Sequence, residues 1–233
     1  MERLYTKEWL DEEDVELAEL ERSLGEVWNV NRFLGGNPAL FHHMDRLMKR
    51  MERKGHESSI TVLDVATGLA DIPIALLEWS RRRNMDISIV GVDSHPRIVE
   101  LAGRKTIDHP KIEIVRADGT KLPFANDSFD IVYSNLALHH MDDEAAVKLV
   151  AEMNRVAKVG WIITDLERHK YAYLAARLLA RFVWRSPVTR HDGPLSVQRS
   201  FTAEEARKLV KTAGVEALVH RHFPFRLALV GHA

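Results

Sequence analysis

Between residue 58 and about residue 166, short apolar runs alternate with stretches of helical pattern. This alternation restricts the fold more than any other feature of the chain. Ile60–Val65, Ile87–Val92, Ile112–Val115, Phe129–Tyr133 and Trp161–Thr164 read as strands. Helices are predicted over Ile72–Arg82, Pro96–Arg104 and Asp142–Val156. Proline in the first turn of the second costs no hydrogen bond, because that amide has no helical partner. Strands this apolar must be covered on both faces. Parallel neighbours joined by right-handed crossover helices meet that need, so the fold class is α/β with a mainly parallel sheet.

The flanks differ in pattern. Residues 1–57 read as an N-terminal helical cap: Val15, Leu17, Leu20, Leu24 and Val27 recur near helical spacing. Asn31 to Pro38 then breaks the helix, because Gly-Gly and Asn-Pro favour turns. A second helix follows with Leu40, Phe41, Met44, Leu47, Met48 and Met51 on one face, and Gly55 is its predicted stop. Residues 58–233 form the sheet domain, with a helical insert at about 168–200. Within the insert, Tyr171 to Arg185 reads as one helix, with Arg177, Arg181 and Arg185 as a charged stripe and the remainder broadly apolar. Such a helix calls for an apolar partner: a substrate pocket, the N-terminal helices, another subunit or a membrane surface. The insert is basic, with Asp192 its only acid, and the first 26 residues are mainly acidic, so the two zones are expected to pair. Thr202 and Glu205 have capping-box spacing and start a helix that runs to Ala213 and stops at Gly214. Val215–Arg221 and Phe225–Val230 close the sheet as a pair of strands.

Four segments carry the candidate chemistry, each just beyond a predicted strand: Val62 to Asp71, Asp93-Ser94, Ala117-Asp118-Gly119, and Ser134 to His140. Ligands of open α/β sheets bind at such carboxyl ends. A small-residue turn between strand and helix lets backbone approach a ligand, and the helix start offers free amide hydrogens. An acid ending the second strand can accept from both ribose hydroxyls. Their order, with Ala117 to Asp130 most specific, resembles class I S-adenosylmethionine-dependent methyltransferases, particularly the ubiquinone and menaquinone biosynthesis group. The resemblance covers about residues 58 to 166, with a weaker echo over Phe201 to Val230. It implies a Rossmann-like seven-stranded sheet with helices on both faces and S-adenosylmethionine as cofactor. By position, Asp64 and Gly68 flank its methionine part, Asp93 holds the ribose, Asp118 and Gly119 face the adenine, and Asn135 and Leu136 lie beside the methyl group; Ala66 and Ser94 complete the set. Two departures stand out. Ala66 and Ala70 replace the outer glycines of the loop, and alanine is penalised at positive φ, so weaker affinity or an altered loop is expected. The Pro-Gly-Gly turn before the fifth strand is shortened to Val159-Gly160-Trp161.

Methyl transfer needs position more than side-chain chemistry, because the cofactor carries an activated methyl group. A base helps when the acceptor must lose a proton. His139 and His140 are the first candidates and His191, beside Asp192, the next; Asp165 either lines the pocket or caps the following helix. The N-terminal zone and the insert together are expected to roof the pocket. The reading is methyl transfer to a small, largely apolar acceptor, at oxygen if one of the histidines is a base, with nitrogen, carbon and quinone-like acceptors open. Two alternatives stand beside it. The replaced glycines allow a non-catalytic cofactor-binding or interaction protein. A nicotinamide oxidoreductase expects Gly-x-Gly-x-x-Gly, whereas only Gly68 is present. A net charge of -1 argues against a nucleic-acid partner, and the absence of cysteine excludes disulfides, thiolate metal sites and a cysteine nucleophile; no metal centre is expected. No apolar run is long enough for a signal peptide or a membrane span, so a cytoplasmic address is expected, and a homodimer through the insert helix is a further possibility.

Overall fold

The computed structural model describes residues 1–12, 15–53 and 59–232. The first strands form where predicted: β1 (Ile60–Val65), β2 (Ile87–Asp93), β3 (Ile112–Arg116) and β4 (Phe129–Asn135). The crossovers are α3 (Asp71–Arg81), α4 (Pro96–Lys105) and α5 (Asp143–Val156). Asp142 caps α5 by accepting from the Ala145 amide at 2.8 Å. The fifth strand, β5 (Ala157–Leu166), is longer than predicted. It begins directly after α5, so Val159-Gly160-Trp161 is strand and not turn. Gly160 is needed there because a Cβ would approach the Gly231 carbonyl to 2.6 Å.

The C-terminal helix α8 (Ala203–Thr212) starts at the expected capping box, and the strands β6 (Ala217–His222) and β7 (Arg226–His232) follow. The sheet order is β3-β2-β1-β4-β5-β7-β6, with β7 antiparallel to both neighbours and the rest parallel. One face carries Leu149, Val150, Met153, Leu209 and Val210 from α5 and α8. The other carries α3 and α2 (Gly36–Arg53), whose Leu40, Met44, Leu47, Met48 and Met51 are buried against Val62, Ile131 and Ile162. Burying each such side chain contributes roughly 1.5–3 kcal/mol, which fixes α2 on the sheet.

The N-terminal break is tighter than its sequence suggests. Helix α1 (Leu17–Phe33) runs through Asn31, and α2 already begins at Gly36, so Leu34 and Gly35 (φ +83°) make the whole turn. The expected stop at Gly55 lies outside the described residues. The insert is two helices, α6 (Lys170–Phe182) and α7 (Pro187–Arg199), where a single helix over Tyr171 to Arg185 was predicted. Ser186 caps α7, accepting from the Thr189 amide at 3.1 Å.

Candidate functional site

The turn leaving β1 is built against β2. The Thr67 amide donates to the Val92 carbonyl at 2.9 Å, and Gly91 leaves room for it: a Cβ there would meet Thr67 Oγ1 at 2.8 Å. Ala66 (φ +62°), Gly68 (φ +56°) and Ala70 (φ +59°) are all left-handed. Two of these three positions, which favour glycine, therefore carry alanine. No atom lies within 4 Å of where a Gly68 Cβ would be, so this backbone faces open space. Asp93, at the end of β2, joins the two loops: one carboxylate oxygen accepts from the Gly68 amide at 3.2 Å, the other from His95 at 3.0 Å. Burial raises its pKa, against those two amides. Burial likewise pushes Asp64 up to about 7, opposed by the Thr67 and Tyr133 hydroxyls.

Above these strand ends lies a cavity of about 610 Å³. Asp64, Ala66, Gly68, Asp93, Ser94, Asn135 and Leu136 line its floor, and His139 and His140 line its side. The other walls come from α1, from α6 and α7, and from the segment around Glu8 to Asp11. Three candidates lie elsewhere. Asp118 is exposed and spends one carboxylate oxygen on the Thr120 amide and hydroxyl, both at 2.8 Å, a local turn. Gly119 serves packing, since a Cβ would meet Val65 at 2.8 Å. His191 is exposed, stacked on Trp9 at 4.0 Å, and outside the cavity lining, whereas its neighbour Asp192 is in it.

The two adjacent histidines differ in environment. His139 is buried, and its Nδ1 lies 2.7 Å from Asp165 Oδ1 while its amide donates to Oδ2 at 2.9 Å. Burial favours the neutral acid, but His139 and the backbone amides hold Asp165 below its ordinary pKa. An ionised Asp165 favours a proton on Nδ1, which leaves the Nε2 lone pair without a hydrogen bond, 3.9 Å from Glu8 Oε1. Asp165 therefore orients His139 and does not cap α6; His169 does that. His140 Nδ1 lies 2.8 Å from Asp11 and 3.9 Å from Glu8. Burial opposes its charge, yet those carboxylates raise its pKa to about 9, so it is a cation at neutral pH. Glu8, His139 and His140 offer ligand-type atoms within 4.8 Å of one another, but the Arg199 guanidinium, 3.5 Å from Glu8, already supplies a cation there.

Arg199 also ties the walls together. It donates to the His139 and His140 carbonyls at 2.9 and 2.7 Å and to the Thr6 carbonyl. Asp192 accepts from the Trp9 and Leu10 amides at 3.0 and 2.9 Å, and Ser196 donates to Glu8 at 3.0 Å. Five cavity residues that sequence reasoning passed over are Asn31, Asn37, His95, Trp184 and Arg226. Each has a buried side-chain N or O atom with no hydrogen-bond partner among the described residues. Buried polar atoms are normally paired, so unpaired ones in a cavity mark ligand contacts. Burial lowers Arg226 to about 10, against the pull of Asp165, and it stays charged at neutral pH.

An open α/β sheet with a cavity at its strand ends, a left-handed loop after β1 and an acid after β2 defines a Rossmann-like class I methyltransferase fold. Residues 62–160 match the methyltransferase domain family model. A demethylmenaquinone methyltransferase of Staphylococcus saprophyticus is 36% identical over 122 residues, covering 52% of this chain and 49% of the relative. That of Lysinibacillus sphaericus is 30% identical over 123 residues, covering 53% and 50%. The chain thus spans about half the length of these curated relatives. Among solved structures, a SAM-dependent methyltransferase from Aquifex aeolicus aligns with a TM-score of 0.55 at 18% identity, over 80% of this chain and 88% of that one. The cyclase SpnF aligns at 0.50 and 18%, over 75% and 57%.

Proposed function

We propose that the protein transfers a methyl group from S-adenosylmethionine to an oxygen of a small, largely apolar acceptor. One observation carries this reading: a single cavity runs from the left-handed loop and Asp93 to the free Nε2 of His139. Its volume lies in the range of small-molecule sites, roughly 300–1,000 Å³. The open space over Gly68 and the unspent lone pairs of Asp93 fit a nucleoside cofactor. Ala66, Ser94, Asn135 and Leu136 complete that part of the site, and Asp64 lies beneath it.

When bound, the cofactor supplies a methyl group on a cationic sulfur, which keeps the C–S electron pair as the methyl leaves. His139 Nε2 takes the proton of the acceptor hydroxyl as the new C–O bond forms. Asp165 holds the ring in the tautomer that can do so. His140, already protonated, is unfit as a base and helps to position Glu8 and Asp11. Residues 1–12 with the insert at about 168–200 roof the acceptor and exclude water, held by the Arg199, Asp192 and Ser196 contacts. The name of the curated relatives, demethylmenaquinone methyltransferase, supports an apolar ring as the acceptor class, and the apolar residues of α1, α6 and α7 suit one; the choice of oxygen rests on His139 alone.

The test measures S-adenosylhomocysteine and methylated product by mass spectrometry with a panel of quinols and phenols. His139→Gln should lower kcat about 10²–10⁴-fold with cofactor affinity nearly unchanged. Unaltered kcat in that variant would remove His139 from the proton step. Cofactor binding with no product from any acceptor would favour a non-catalytic role, the reading that the two alanines keep alive.

A further inference from the structure

Helix α6 is apolar toward the cavity and also toward solvent. Ala172, Ala176 and Leu179 line the cavity. Tyr171, Leu174, Leu178 and Phe182 face outward and are 52–76% exposed. At 3.6 residues per turn these four form one stripe. Lys170, Arg177 and Arg181 run along a single edge of it. A surface helix with nothing docked on it normally turns polar residues outward.

Two other segments extend the patch. Phe33, at the end of α1, is 76% exposed, and Phe223, in the β6–β7 turn, is 91% exposed. Their turns touch, since a Cβ on Gly35 would approach the Phe223 carbonyl to 2.6 Å. His169, the cap of α6, stacks on Phe225 at 4.8 Å, so the three elements adjoin. Leu34, Pro224 and Phe225 line the cavity between them. Each exposed ring of α1 and α6 has a cation beside it: Arg32 at 5.5 Å from Phe33, Lys170 at 5.1 Å from Tyr171, Arg181 at 6.0 Å from Phe182. Apolar side chains flanked by cations suit a bilayer interface, where rings and aliphatic groups enter the headgroup boundary and cations meet phosphate.

We propose that this face docks peripherally on an anionic lipid surface and turns the cavity rim toward the bilayer. Charge favours this occupant over a second copy of the chain. Helix α6 contains no acidic residue, so a two-fold pair of such faces would set arginine against arginine. Docking requires neither cofactor nor acceptor, so it stands or falls apart from the methyl-transfer reading.

The experiment is co-sedimentation of the full chain with vesicles of phosphatidylcholine, or of an equimolar mixture with phosphatidylglycerol. The protein should pellet with the mixed vesicles, poorly with the neutral ones, and less as salt rises. Leu174→Ser with Leu178→Ser, and separately Arg177→Glu with Arg181→Glu, should each lower the partition coefficient about tenfold or more, with unchanged melting temperature. These positions are exposed, so the fold does not depend on them. The proposal is overturned if the protein stays in the supernatant with both vesicles, or if charge reversal leaves binding unchanged. It is also overturned if light scattering finds a dimer that the serine variant splits.

Discussion

Replacing Ala66 by glycine should stabilise the protein, whereas the same change at Ala70 should not. Both alanines are left-handed, at φ +62° and +59°. An L-residue in that conformation carries roughly 1–2 kcal/mol of strain that glycine lacks. Glycine also gives the unfolded chain more freedom, which removes about 0.4–1 kcal/mol of the gain. Ala66 is only half-buried at the cavity, so little packing is lost and the net gain is about 0.5–1 kcal/mol. For a chain of this length that is a rise of about 1–4 °C in melting temperature. Ala70 is fully buried, and deleting its methyl forfeits roughly 0.8 kcal/mol more, which brings the balance near zero. Thermal and urea melts of both variants without ligand test the difference, and calorimetry follows cofactor affinity. The reasoning is refuted if Ala66→Gly melts at or below the wild type, or if Ala70→Gly gains as much.

Asp93→Ala should weaken cofactor binding ten- to a hundredfold by calorimetry, the equivalent of about 1.5–3 kcal/mol for a charged hydrogen bond; unchanged affinity would take the ribose away from Asp93. His43 packs among His42, His220 and His222, and burial together with those rings lowers it to about 3. Its unfolded value is near 6.5, so the unfolded state takes the proton first. Stability is then full above about pH 6.5 and declines as pH falls toward 3. Urea midpoints between pH 7 and 4 should show that slope, and His43→Leu should flatten it. Arg199→Met should reduce acceptor turnover at least tenfold while cofactor affinity stays within a few-fold, since the chain loses its tie between Thr6 and the His139–His140 turn. Equal loss of both would mean that Arg199 supports the cofactor side as well.

The strands were legible because they are buried on both faces, which writes each one as a continuous apolar run. That Asp64, Asp93 and Asn135 would stand together at the cavity floor was legible for a related reason: strand ends fix where a loop residue points. Asp118 shows the limit of that logic. It also follows a strand, but its carboxylate folds back onto Thr120, a purely local choice that position does not report. Helix α7 was hidden by Gly193 and Pro194, yet it forms because Ser186 caps it and Trp184 occupies the space a Gly193 side chain would need. The separate roles of His139 and His140 were equally invisible. Asp165 selects the tautomer of one, and Glu8 with Asp11 charges the other, across sequence distances that no local pattern records. Arg226 and Asn31 stand out only once a cavity exists for their unpaired atoms to face.

The Arg199–Thr6 contact joins positions 193 residues apart. During synthesis the first residues leave the ribosome long before α7 exists to receive them. Strands β1 to β4 can pair meanwhile, because their helices are local. The wall containing Glu8 and Asp11 has to wait until the insert has emerged, so a nascent chain can form the cavity floor well before it can enclose anything above it. Closure over the cavity, on this account, comes later in the growing chain than the floor it covers.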